Sequence, residues 1–241
     1  MRRRAMAVAL VLLLAMRPVW AEEACPVPEE LALHGLVLPA AKASVASGKL
    51  VILAVGGAAS AGQAAHGEDF TYPARLAARL RLALPKVDVR MISRAAPGRS
   101  AAEAVLHLEA DIAAAGARLV VWAPGAIEAG TGVDALALGT QVDLGIGKIR
   151  GAGADPLLID LQYAPSIARV IDLPPYRDAV LRVASSDEVA VLDRYELMRR
   201  WSEDGVFDLD ATDPGQRVAT ARRLFDCLAA VLADGIAEAV R

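Results

Sequence analysis

At 241 residues, 55% hydrophobic and only 4% aromatic, the chain holds enough material for one sizeable α/β domain and hardly enough for two, with a core built from Ala, Val, Leu and Ile. A formal net charge of -3 gives no electrostatic case for a nucleic-acid partner. The arginines Arg75, Arg79 and Arg81 read either as a phosphate site or as a solvated helix face, and the second reading is preferred.

The first residues read as an address rather than as fold. Arg2-Arg3-Arg4 precede an apolar run from about Ala5 to Met16, and Val19-Trp20-Ala21 makes a small-x-small cleavage site. Residues 1–21 are therefore expected to be a secretory signal peptide, its apolar run too short to span a bilayer. Glu22-Glu23-Ala24-Cys25 lacks the small-residue pattern that precedes a lipidated cysteine. No later stretch is long enough for a membrane helix, so a periplasmic or secreted protein with no membrane span after cleavage is expected. In that oxidising compartment the two cysteines, Cys25 and Cys227, are expected to be bridged. Without clustered histidines they cannot make a structural zinc site, and no cofactor is expected.

Residues 22–48 are Pro-punctuated and weakly patterned, a lead-in to a domain spanning 49–241. Leu50-Val51-Ile52-Leu53-Ala54-Val55 is a continuous apolar run into a Gly/Ala turn, the pattern of a strand buried on both faces in a parallel sheet. Thr71-Tyr72-Pro73 reads as a helix start, with Leu76, Leu80 and Leu84 on one face. Further strands are expected at Val87–Ser93, Leu119–Trp122, Leu157–Ile159 and Val189–Leu192. Helices are expected over about Ser100–Ala115, Val133–Ile149 (despite Gly139, Gly145 and Gly147), from Pro174-Pro175, over Tyr195–Ser202 and from Pro214 onward. Strands alternating with helices predict a three-layer α/β/α domain with right-handed crossovers and five parallel strands. Ligands of such sheets sit at the carboxyl ends of the strands.

The turn after the first strand, Gly56-Gly57-Ala58-Ala59-Ser60-Ala61-Gly62, resembles the first signature block of the SGNH/GDSL hydrolases, Gly-Asp-Ser-x-Thr-x-Gly or a Gly-Gly-Ser-Ser-Thr-Ala-Gly variant. Gly57 and Gly62 match, Ser60 falls at the Thr, and Ala58 stands where the nucleophile belongs. Gly98 lies where the second block supplies a backbone N–H to the oxyanion hole. Trp122 to Glu128 is similar to the third block, with Gly125 matching and Ile127 at the oxyanion-hole Asn. Asp160-Leu161-Gln162-Tyr163 is similar to the exported branch. The final Asp-x-x-His block aligns in two registers. Alignment on Gly215, which we prefer, puts Asp210 at the histidine and Phe207 at the aspartate; the other keeps Asp210 and puts Asp213 at the histidine. The resemblance implies a flavodoxin-like strand order 2-1-3-4-5.

Ester hydrolysis by the family's route needs a hydroxyl activated by an imidazole that a carboxylate orients, and Ala58, Ile127 and Asp210 cannot supply those groups. Among replacements, Ser60 reads as a turn hydroxyl bonding the backbone, and His66 is the best-placed imidazole, in the polar loop Gln63–Asp69. His107 with Glu103 and Asp111 at i±4 spacing suggests a metal site, though an ion-paired helix face is the better account. Glu68 with Asp69, or Asp210 with Asp213, are acid pairs of unset separation, and His34 carries no motif. The expectation is a catalytically inactive SGNH-like protein that binds an acyl or carbohydrate ligand or accompanies an envelope enzyme. Its rival is an ester hydrolase rearranged around Ser60 and His66.

Overall fold

A computed structural model describes residues 25–241; the signal peptide expected over 1–21 lies outside them. Five parallel strands, β1 (Lys49–Gly56), β2 (Asp88–Ala95), β3 (Leu119–Ala123), β4 (Asp155–Ile159) and β5 (Val191–Leu192), form one sheet in the order β2-β1-β3-β4-β5. Leu50 lies opposite Val89, Ile52 opposite Leu119, Leu119 opposite Asp155 and Leu158 opposite Val191. The helices are α1 (Pro39–Ala46), α2 (Tyr72–Ala83), α3 (Ala101–Ala115), α4 (Ala126–Thr131), α5 (Ala135–Gly151), α6 (Pro165–Ala168), α7 (Pro174–Ser186), α8 (Arg194–Glu203) and α9 (Pro214–Val240).

Alternation along the buried strands divides the core. Leu50 and Ile52 face Leu76, Leu80, Trp201 and the apolar stripe of α9, while Val51, Leu53 and Val55 face Leu108, Ile112, Val142 and Val180 of α3, α5 and α7. Burying both faces of β1, β3 and β4 is why those segments are nearly continuous apolar runs, whereas the edge strand β2 is mostly exposed or half-buried and mixed in composition. Thr71 caps α2, its hydroxyl accepting from Ala74 N–H at 3.2 Å, and Ser100 with Glu103 closes a capping box on α3.

Several expectations need correction. The helix expected from Val133 starts at Ala135, because the Asp134 carboxylate accepts from the Leu136 and Ala137 N–H groups; a separate short helix, α4, precedes it. Its glycines are in part required: a Cβ on Gly145 would lie 2.2 Å from the Trp122 ring, so α5 crosses the sheet there only without a side chain. The fifth strand is only two residues long, since Glu188 takes a left-handed turn and Val189 N–H closes back on Ala184. The weakly patterned lead-in holds α1 and gives Leu33, Leu38 and Ala41 to the core, with Ala41 N–H on the Asp155 carboxylate at 2.8 Å.

Cys25 and Cys227 form a disulfide with Cα atoms 5.6 Å apart, tying the lead-in to α9. Beside it the Trp201 indole N–H donates to the Pro26 carbonyl at 2.6 Å. No helix among the described residues is long and apolar enough to cross a membrane.

Candidate active site

In a parallel sheet the loops that leave the carboxyl ends of the strands share one end of the molecule. Ala58 follows β1, Gly98 follows β2, Gly125 and Ile127 follow β3, Asp160 follows β4, and Asp210 lies in the segment before α9. Carboxylates in these loops accept from backbone N–H groups of neighbouring segments at the same end: Glu128 from Ala101, Asp160 from Tyr195 and Asp210 from Ser166.

The turn after β1 is tight, with Ala61 N–H on the Gly57 carbonyl at 3.0 Å and Gly62 N–H on that of Ala59 at 3.2 Å. This folds Ser60 back against the strand. A Cβ on Gly56 would lie 2.4 Å from Ser60 Oγ, so glycine at 56 is what lets the hydroxyl tuck in. Ser60 is 1% exposed and its Oγ donates to Tyr72 Oη at 3.2 Å, which corrects the backbone partner expected for it. Burial pushes the Tyr72 phenol above its usual value. Ala58, which the resemblance sets at the nucleophile's place, is half-buried in the same turn and presents only a methyl group.

His66 is exposed in a left-handed conformation, and among the described residues its imidazole has no hydrogen-bond partner; only its carbonyl is used, by Arg222. Ser60 and His66 are thus not joined. Glu68 and Asp69 are exposed in the same loop.

Gly98 sits exposed in the turn after β2 at φ +80°, beside a hollow of about 310 Å³ that Arg99, Glu103 and His107 also line. Glu103 accepts from the Ser100 N–H at 2.9 Å in its capping box, and this bond above all holds its carboxyl below the usual range. Asp111 meets Arg94 at 3.0 Å and Arg99 at 3.8 Å. Both carboxylates of the suggested metal triad are therefore engaged by the helix cap and by arginines.

After β3, Gly125 at φ +95° turns the chain into α4, where a Cβ would come within 3.0 Å of Leu161. Ile127 is half-buried. The neighbouring Glu128, which the sequence reading missed, is 5% exposed and accepts from the Ala101 N–H at 2.6 Å. It satisfies one of the free donors at the start of α3, where a negative charge is favoured.

Asp160 is fully buried and accepts from Arg177 Nε and Tyr195 N–H, each at 2.9 Å. Burial pushes its carboxyl up to about 7 against these bonds. Arg177 also reaches Asp193 at 2.5 Å, and Tyr163 packs edge-on against Tyr195 at 5.2 Å. The sequence places Asp160 only within a similarity; the available signal is its position directly after the apolar run Leu157–Ile159.

Asp210, which the preferred alignment sets at the histidine's place, is held by the Ser166 N–H at 2.9 Å and Arg169 at 3.1 Å; the bonds from Ser166 keep its carboxyl below the usual range. Asp213 caps α9, accepting from Gln216 N–H at 2.7 Å. Phe207 is buried edge-on against Trp201 at 5.5 Å. Asp210 and Asp213 hence serve different parts of the scaffold.

The arginine face is more engaged than a solvated one. Arg79 pairs with Asp226 at 2.6 Å, Arg81 Nε donates to the Val89 carbonyl at 3.0 Å, and Arg75 lies 5.0 Å from the Phe70 ring.

Among solved structures the fold is similar to that of TesA, at 25% identity and a TM-score of 0.58, over 76% of this chain and 97% of that one. It is also similar to the acetylxylan esterase Axe2 of Geobacillus stearothermophilus, at 14% and 0.60 over 78% and 94%. A third is the psychrotrophic esterase EstA of Pseudoalteromonas sp., at 15% and 0.56 over 76% and 98%. No curated protein matches the sequence. The model of the non-GDSL lipase-like family matches residues 24–241. With that match over the whole described chain, and with a five-stranded 2-1-3-4-5 sheet, the protein belongs to the non-GDSL lipase-like family within the SGNH hydrolase superfamily.

Proposed function

We propose that the protein is an exported SGNH-fold protein, periplasmic or secreted, that has lost ester hydrolysis. It binds an acyl or acetylated-sugar ligand or serves as an accessory to an envelope enzyme. The observation that carries this reading is the turn after β1, where Ala58 holds the nucleophile's place and the nearby hydroxyl of Ser60 is turned inward onto Tyr72.

The chemistry argues the same way at each further position. A carboxylate in the histidine's place is a far weaker base than imidazole, with an ordinary pKa of about 3.9, and Asp210 is held lower still by Ser166 and Arg169. Ile127 has no donor for an oxyanion, and loss of one such donor alone lowers rates by about 10²–10³. The export reading rests on Arg2–Arg4, the apolar run after them and the Cys25–Cys227 bridge. The acetylated-sugar option is supported by the likeness to an acetylxylan esterase.

The test is turnover of p-nitrophenyl acetate and butyrate, with labelling by a serine-reactive phosphonate. Neither the wild type nor Ala58→Ser should show activity, because a restored hydroxyl still lacks a base. Robust wild-type turnover that disappears in Ser60→Ala would overturn the reading in favour of a rearranged hydrolase.

A further inference from the structure

One cavity lies away from the loops at the sheet's carboxyl end. A groove of about 930 Å³ runs along the outer face of α9, walled by the lead-in on one side and α2 on the other. Its α9 positions recur every three or four residues from Ala219 to Glu238, a stripe about 28 Å long at 1.5 Å rise per residue. The lead-in crosses this stripe between two fixed points. One is the Cys25–Cys227 disulfide; the other is Gly235, where an added Cβ would lie 2.6 Å from Leu33. Between them the lining is apolar, with Val27, Ala230 and Val231.

The two ends differ in charge. The end nearest the start of α2 is lined by Arg75, Arg79, Arg222, Arg223 and Asp226, with Arg79 paired to Asp226, and Arg75 and Arg222 lie against the Phe70 ring, at 5.0 and 3.7 Å from its centroid. Arg222 donates to the carbonyls of Ala65 and His66, and Arg75 Nε is buried with no hydrogen-bond partner among the described residues. Among the described residues no carboxylate pairs with either. The opposite end carries Asp234 and Glu238, the latter meeting His34 at 3.3 Å.

We propose that this groove binds a single-chain anionic amphiphile, with its carboxylate against Arg75 and Arg222 and its alkyl chain along α9 beneath the lead-in. The inference deepens the binding role given above and rests on that reading. The aromatic ring fixes two guanidinium groups whose charge no described carboxylate offsets. The apolar middle removes the chain from water, and the acidic end excludes the reverse orientation. The volume falls within the range of about 300–1,000 Å³ usual for small-molecule sites.

The test is calorimetric titration of the disulfide-intact protein with octanoate, decanoate and dodecanoate below their micelle concentrations. Decyltrimethylammonium serves as the cationic control. One saturable site is expected, tightening with each methylene, by about fourfold at full burial. Arg75→Gln combined with Arg222→Gln should weaken dodecanoate at least tenfold, and so should Ala230→Trp, which fills the middle of the groove at a half-buried position. Each variant's fold is checked by circular dichroism. No saturable binding, affinity independent of chain length, equal binding of the cationic control, or unchanged affinity in both folded variants would overturn the proposal. So would binding that appears only in Glu22→Gln/Glu23→Gln, which would assign the arginines to the chain's own acidic residues ahead of Cys25. Ester hydrolysis is measured on the same samples. Turnover would defeat the inactive reading whatever the titration shows, and inactivity without binding would defeat only the groove.

Discussion

Whether Ser60 is a structural hydroxyl or a displaced nucleophile can be decided by a double-mutant cycle with Gly56. Gly56→Ala needs no unusual backbone, since Gly56 is not among the positive-φ residues, but its new Cβ would sit 2.4 Å from Ser60 Oγ and 3.1 Å from Ser60 Cβ. The hydroxyl can escape only by giving up Tyr72, so overpacking of about 1–3 kcal/mol is expected. Ser60→Ala removes the donor and leaves the buried Tyr72 Oη without it, a loss of about 1–3 kcal/mol. In the double variant the 2.4 Å contact no longer exists and the hydrogen bond is lost once rather than twice. The two effects should therefore fall short of additivity by about 1–2 kcal/mol, against the ~0.3–0.5 kcal/mol scatter of independent sites. Urea unfolding of the four proteins measures this directly, and thermal unfolding should show a shortfall of about 2–8 °C at ~2–4 °C per kcal/mol. Additive effects would mean that Ser60 does not lie against Gly56, and would remove the main argument for an inward hydroxyl.

Replacing Cys25 and Cys227 together by serine should lower stability by about 2–5 kcal/mol, because the bridge closes a loop of sequence separation 202; a loss under ~1 kcal/mol in urea unfolding would refute it. Asp160 gives a pH signature. Its folded carboxyl, pushed up to about 7, holds its proton more tightly than the unfolded chain, so this group erodes stability as pH rises from about 4 to about 7. The limit is roughly 1.4 kcal/mol per unit, and unfolding free energies measured at pH 5 and pH 8 should differ less in Asp160→Asn than in the wild type; an equal difference would count against it.

The central strands were legible because burial on both faces forces unbroken apolar runs such as Leu50–Val55, closed by Gly56, and Leu119–Ala123, closed by Pro124. The helix of Pro39–Ala46 was not, since its eight mainly small residues present little amphipathic contrast and bury only Ala41. Its anchor, the Asp155 carboxylate, is 114 residues distant. The same reason hid the partners of Asp160 and Glu128. A buried acid is visible in sequence only as an acid, and the N–H groups of Tyr195 and Ala101 that hold these two are supplied by other loops. Tyr72 was read as a helix start, which it is, but its phenol's contact with Ser60 depends on how tightly the turn at Gly57–Gly62 closes.

On the proposed reading, the residues that the resemblance sets at the signature positions share a physical consequence. A working site must keep polar atoms unsatisfied by the scaffold so that substrate can claim them, which is costly at a buried position. Here the acids and the hydroxyl at the carboxyl end of the sheet are turned to structural use. Ser60 holds Tyr72, Glu128 holds the start of α3, Asp210 holds the start of α6, and Asp213 caps α9. On the inactive reading proposed above, these groups contribute to stability, where an active site would keep such groups in reserve. Uncompensated charge lies instead at Arg75 and Arg222, on the outer groove, where two cations share one aromatic ring and no described carboxylate answers them. On the proposed reading, in which the scaffold has absorbed the catalytic positions, recognition belongs where charge is still available to a ligand, and among the described residues that is the face of α9.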